Sequence, residues 1–139
     1  MASVFTMIMD GKIPGNFVWK DDKAVAFLTI QPIRQGHVLV VPHEEVDQWS
    51  DLPIDLAAHL MQVSHKIANA LKVAYPATRV GLMIAGLEVP HTHIHLVPMD
   101  SMDDLSFEFA KNADGEVLKE TAEKIRGVLA EQGFSEAKV

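Results

Sequence analysis

The segment His91-Thr92-His93-Ile94-His95-Leu96-Val97 alternates imidazoles with other side chains at a period of two. Successive side chains of an extended strand point to opposite faces, so His91, His93 and His95 share one face and Thr92, Ile94 and Leu96 the other. The Ile94/Leu96 face belongs against a core. The opposite face then presents three imidazoles in a row, about 6.6–7 Å from one to the next along the backbone. Upstream, His37-Val38-Leu39-Val40-Val41-Pro42 is apolar on both faces after His37, which reads as a central strand. Asn16–Lys20 and Val25–Thr29 read as two short strands joined at Asp21-Asp22, and Arg79–Ile84 and His93–Val97 as two more, with Gly86 and Pro90 between them. Leu56, Leu60, Val63, Ile67, Leu71 and Ala74 recur at spacings of three and four, the stripe of a long helix. Ser50-Asp51 opens it with Pro53 in the first turn, and Pro76 stops it. A second stripe, Leu118, Ala122, Ile125 and Leu129, predicts a helix over about residues 114–132, closed by Gly133. Ser3–Met9 reads as a short helix capped by Ser3 and ended by Gly11. Strands and helices do not alternate as in a parallel array, so the expected fold is α+β with a mainly antiparallel sheet, one domain over residues 1–139.

Composition narrows the functional classes. With 139 residues, 48% hydrophobic and 22% charged, the chain suits a single buried core and not a disordered segment. Its longest apolar runs, Val38–Val41 and Gly81–Leu87, fall well short of the roughly 20 residues of a membrane span. No basic stretch followed by a long apolar one opens the chain, so the expectation is a soluble cytoplasmic protein with no membrane partner. The absence of cysteine excludes disulfides, thiolate nucleophiles and Cys-built metal sites. A net charge of −7 disfavours nucleic acid polymers, though it leaves a small phosphate ester open as a ligand. Gly81 and Gly86 do not form a phosphate loop of the G-x-x-x-x-G-K type. His43, His59 and His65 read as surface or partly buried residues outside any catalytic group, and Met83, Met99 and Met102 as packing.

A row of imidazoles suits two chemistries. An H-x-H pair, His91 with His93 or His93 with His95, can clasp a divalent metal, with His37, Glu44 or Glu88 as a third ligand. Alternatively, a neutral imidazole can attack phosphorus and later leave in favour of water. An ordinary histidine pKa of about 6.5 keeps such a nucleophile mostly neutral at pH 7, and crowding keeps neighbouring rings from all being protonated together.

His91-Thr92-His93-Ile94-His95-Leu96-Val97 resembles the H-φ-H-φ-H-φ-φ signature of the histidine triad (HIT) family of nucleotide hydrolases and transferases. Ala85-Gly86-Leu87-Glu88-Val89-Pro90 before it is similar to that family's approach segment. Phe5 with Gly11-Lys12-Ile13-Pro14, then Asp21-Asp22, Ala26-Phe27, Pro32 and Gly36 through Pro42, follow the family's order and spacing, so the resemblance covers about residues 3–99. It implies a five-stranded antiparallel sheet with two main helices and a two-fold homodimer. It implies that His93 attacks the α-phosphorus of a nucleoside 5′-monophosphate joined to an amine or a second phosphate, forming a nucleotidyl-histidine. By the same resemblance His91 and His95 orient and stabilise the phosphate, His37 supports them, and Val4, Phe5, Phe27 and Ile30 wall a pocket for base and ribose, with no cofactor or metal needed.

Four features set this chain apart from the family pattern. Ser3-Val4-Phe5-Thr6 stands where many relatives carry a Cys-x-x-Cys belonging to a zinc site. Thr29 stands where an acidic residue usually clasps ribose hydroxyls, offering one hydroxyl for two acceptor oxygens. Leu87 occupies the usual Gln position, in an approach loop without the common Asn. Glu88 brings a negative charge where relatives often offer a hydroxyl. Two other readings therefore stand beside the nucleotidyl hydrolase: a metal-dependent hydrolase on the H-x-H pair, and a catalytically weak nucleotide-binding protein on the same scaffold, favoured by Thr29 and Glu88.

Overall fold

Strand β3 (Val38–Pro42) is buried along its whole length and lies in the middle of the sheet, as its two apolar faces require. The computed structural model describes residues 2–139, and within them β1 (Phe17–Lys20), β2 (Ala24–Leu28), β3, β4 (Arg79–Met83) and β5 (Ile94–Met99) form one sheet in the order β1-β2-β3-β5-β4. Every pairing is antiparallel. Helices α1 (Val4–Met9), α2 (Ile54–Ala74) and α3 (Gly115–Glu131) complete the expected α+β architecture.

The two long helices cover one face. Val18, Ala26, Val38, Val40, Ile94 and Leu96 point from the strands into a core that Leu60, Ile67, Leu71, Ile125 and Leu129 fill from α2 and α3. The other face carries a smaller cluster of Phe5, Val25, Phe27, Leu39 and Val41, which α1 only partly covers. That opening is where the histidines lie.

Local chemistry explains where the elements start and stop. The side chain of Ser3 accepts from the Thr6 amide and caps α1, while Gly11 turns the chain away at φ +80°. Asp21 Oδ1 accepts from the amides of Lys23 and Ala24, both at 2.8 Å, closing the β1–β2 turn so that β2 starts at Ala24. Pro53 sits at the N-cap of α2, one place before the first turn, and a separate 3₁₀ turn covers Trp49–Asp51. Gly36, at φ +97°, leads into β3; a Cβ there would stand 3.0 Å from Pro98 and 3.2 Å from the Tyr75 ring. Only glycine allows that approach, which brings His37 alongside β5.

The sequence reading placed three histidines on one strand, and here the structure differs. β5 begins at Ile94, because β3 and β5 pair only through Val38↔Leu96, Leu39↔His95 and Val40↔Ile94. Residues 91–93 are held by other bonds: the His91 amide to the Val89 carbonyl, and the Thr92 amide and hydroxyl to the Val46 carbonyl. His95 alone of the three lies in the ladder, so the imidazoles are set at different angles, not in a flat row.

Candidate functional site

Histidine tautomers follow from what each ring nitrogen meets. His37 lies on the same face as His95 and diagonal to it across the β3–β5 pair, the spacing at which long side chains touch. The Ile33 amide donates to His37 Nδ1 at 3.0 Å, so that nitrogen is an acceptor and the proton sits on Nε2. His37 Nε2–H then donates to His95 Nδ1 at 2.9 Å, which places the proton of His95 on its own Nε2. On His93, Nδ1–H donates to the His91 carbonyl at 2.8 Å, leaving Nε2 with a lone pair. His91 donates from Nε2 to the Pro42 carbonyl at 2.8 Å and accepts at Nδ1 from the Ser3 hydroxyl at 2.6 Å. Backbone groups thus fix the rings: three of the four histidines bond a main-chain amide or carbonyl, and His95 is set by His37.

This leaves two nitrogens unbonded, Nε2 of His93 as acceptor and Nε2–H of His95 as donor. Ser64 Oγ is the one fully buried side-chain polar atom without a partner among the described residues, so both imidazole nitrogens are reached by solvent. The His93 and His95 rings are 4.9 Å apart between centroids, and Phe5 stands edge-on to His93 at 4.7 Å. Electrostatics favour the neutral rings that these bonds require. Burial, and secondarily the charge of His93, push His37 down to about 4. Burial, then the charges of His37 and His93, push His95 down to about 3. Burial also lowers His93, opposed by its bond to the His91 carbonyl and by the charge of Glu88. His37, His93 and His95 are therefore held neutral at pH 7, with His93 offering a lone pair and His95 a proton.

The two rings that carry these nitrogens line a cavity of about 360 Å³. Of the residues expected at the site, Phe5, Thr29, His37, Glu88, His93 and His95 line it. His91 does not; it is fully buried behind them, bracing the backbone that His93 bonds. Val4, Phe27 and Ile30 are not in the lining either: Phe27 is buried behind Phe5, its ring 5.7 Å away, and Ile30 is exposed. The sequence reading missed Gln31, Leu39 and Val89, and also Phe107 and Ala110 from the far side of the chain. Phe107 sets its ring 5.0 Å from that of His95. The acidic stretch before it is a fold-forming clamp: Arg34 bonds Asp100 at 2.8 Å and Asp104 at 3.1 Å, and the Thr78 amide and hydroxyl bond Asp100. The Lys111 and Ala113 amides then donate to the carbonyls of Pro32 and Ile30, pinning the segment over the cavity. The only signal in sequence was a pair of aromatics, Phe107 and Phe109, in a polar stretch without helical period.

The metal readings meet the same geometry. His91 has both ring nitrogens engaged, and among the described residues no three His, Asp or Glu side chains cluster as ligands. At the position of the relatives' Cys-x-x-Cys, Ser3 and Thr6 present hydroxyls. Ser3 is bonded to His91, and both Thr6 Oγ1 and the Ser3 amide donate to Glu45. Two hydroxyls in a closed hydrogen-bond network do not fit a zinc site built on thiolates. His43 and His59 are occupied at the β1–β2 turn, bonding the carbonyl and carboxylate of Asp21, away from the cavity.

A model of the HIT domain matches residues 10–102. An uncharacterized HIT-like protein of Methanocaldococcus jannaschii is 34% identical over 124 residues, which is 84% of this chain and 96% of that protein. An adenosine 5′-monophosphoramidase of Saccharomyces cerevisiae is 32% identical over 98 residues, 70% of this chain and 62% of the enzyme. Among solved structures, that of a zinc-bound histidine triad family protein from Mycobacterium smegmatis matches with a TM-score of 0.81 at 28% identity, covering 95% of this chain and 96% of the other.

Proposed function

Because this chain belongs to the HIT family, we propose that it is a nucleotidyl hydrolase that cleaves a nucleoside 5′-monophosphate from an amine or a second phosphate through a covalent intermediate on His93. The observation that carries the reading is the bond from His93 Nδ1–H to the His91 carbonyl, which aims an unbonded Nε2 lone pair into the cavity. In the first step Nε2 attacks the α-phosphorus and the bond to the leaving group breaks. An amine departs neutral, its nitrogen having taken a proton from solvent before the P–N bond breaks. The Nδ1–H stays on His93, so the phosphorylated ring is cationic and its positive charge faces the His91 carbonyl. Water then attacks phosphorus, the P–N bond to His93 returns its electron pair to Nε2, and of the two water protons one stays on the new P–OH of the nucleoside monophosphate and the other passes to solvent. His95 Nε2–H donates to a phosphoryl oxygen as charge builds there. The His37 pair holds His95 in that tautomer, since a proton on His37 Nδ1 would face the Ile33 N–H.

Phe5, Thr29 and Gln31 form the part of the cavity suited to the nucleoside, with Thr29 Oγ1 accepting from the Gln31 amide at 3.2 Å and keeping its own proton free to donate. Among the described residues β4 has no strand on its outer side, which supports pairing with a second copy in a two-fold homodimer, to be measured by sedimentation. The decisive test is a panel of an adenosine 5′-phosphoramidate, a dinucleoside polyphosphate and an acyl adenylate, each assayed with and without chelator. Turnover of one or more that is indifferent to chelator is expected. Stoichiometric zinc with turnover abolished by chelator would promote the metal-dependent alternative, and tight nucleotide binding without turnover the weakly catalytic one.

A further inference from the structure

Among the described residues, the cavity beside His93 and His95 has no lysine or arginine in its lining, and its one acidic residue is Glu88. The histidines do not make up the missing positive charge, because burial keeps His37 and His95 neutral far below pH 7. A substrate carrying several phosphates would therefore enter a site with one negative charge and no counter-cation. Glu88 stands in the approach loop between Gly86, at φ +74°, and the turn that bonds the His91 amide to Val89, and its charge acts on His93. A carboxylate so placed opposes a leaving phosphate and attracts a leaving group that carries positive charge.

Resting on the nucleotidyl-hydrolase reading above, we infer that Glu88 selects the leaving group, pairing with the protonated nitrogen of an amine and turning away polyphosphates. The P–N nitrogen must take up a proton before its bond to phosphorus breaks, and neither His37 nor His95 is an imidazolium able to supply one. Glu88 stabilises that N–H⁺ as it forms and releases the neutral amine after cleavage. A second positive charge further along the amine, as on a diamine or a lysine side chain, gains from the same carboxylate. The expected substrate class is a nucleoside 5′-phosphoramidate of an alkyl amine, above all one with a pendant ammonium group.

Three matched substrates test this: adenosine 5′-phosphoramidates of ethylenediamine and of ethanolamine, and diadenosine triphosphate. In the wild-type protein kcat/KM should fall in that order. Glu88→Gln should lower kcat/KM for the ethylenediamine substrate about tenfold. The same change should raise it for the triphosphate, and Glu88→Lys should extend that shift. Ratios between substrates on one protein are insensitive to loss of folded material. If Glu88→Gln leaves both ratios within about twofold of wild type, Glu88 does not select the leaving group. If the wild-type protein cleaves none of the three, the nucleotidyl-hydrolase reading itself falls. Turnover with unchanged ratios overturns only the role of Glu88.

Discussion

On and beside β3 and β5, Val38, Val40, Ile94 and Leu96 turn toward the two long helices, while His37, Leu39 and His95 turn toward the cavity. The alternation of a strand delivers both sets from the same few residues, so one face can hold the fold while the other holds reactive groups. On the helical face the contacts are aliphatic and closed over. On the open face His37, His91 and His93 each bond a backbone group, and His95 is set by the His37 ring. The comparison teaches that stability and reactivity are separable here to an unusual degree, and it can be broken by variants that move the wrong property.

The largest expected effect pairs one residue from each face. His93→Ala should lower kcat by several orders of magnitude while leaving the urea midpoint near wild type. Ile67→Ala, from the buried stripe of α2, should cost about 2–5 kcal/mol of stability. Its folded fraction should keep wild-type kcat. Urea unfolding and turnover measured on both variants decide it, and a large stability loss in His93→Ala would end the separation of the two faces.

Acid should weaken the open face first. His37 and His95 sit at about 4 and about 3 when folded, against about 6.5 unfolded, so the unfolded chain binds more protons throughout that interval. Their contribution is complete above pH 6.5 and is lost as pH falls. Stability should drop by about 1–2 kcal/mol per pH unit between pH 6 and 4.5. His37→Gln should take roughly half of that slope away. A wild-type slope near zero would mean that the pair is not buried and neutral as described.

Much of this organisation was legible in the chain. Hydrophobic period placed both long helices and the five strands to within a residue or two, because the helices and the inner strands bury a stripe or face that their period supplies. Of the ten residues expected at the site, His37, His93, His95, Phe5, Thr29 and Glu88 line the cavity, while His91, Val4, Phe27 and Ile30 do not. What escaped was whatever depends on chain segments with no period of their own. Phe107 reaches His95 through a clamp of Arg34, Thr78, Asp100 and Asp104, residues whose spacing carries no signature. The second role of Ser3, donating to His91 while capping α1, requires residues 88 positions apart to meet. The placement of His91 and His93 ahead of β5 was hidden too, since a two-residue alternation says nothing of where the ladder ends.

Smaller effects test those hidden connections. Ser3→Ala removes both the α1 cap and the donor to His91 Nδ1, and should cost about 1–2 kcal/mol. Its activity loss should be far smaller than that of His93→Ala. Equal losses in the two variants would move His91 from a bracing part to a reacting one. Thr29→Asp restores a two-oxygen acceptor and should tighten binding of a ribonucleoside monophosphate a few-fold over its deoxy counterpart, read by calorimetry. No change, or weaker binding, would place the ribose elsewhere in the cavity.

The central claim is that His93 Nε2 bonds to phosphorus during turnover. Rapid quenching of the wild-type protein with a substrate radiolabelled at the α-phosphate, at alkaline pH where a phosphorus–histidine bond survives, should trap label on the chain. Mapping the labelled peptide should place it on His93, with the label acid-labile and absent from His93→Ala. Label on another residue, or product formed at full rate in His93→Ala, would contradict the account.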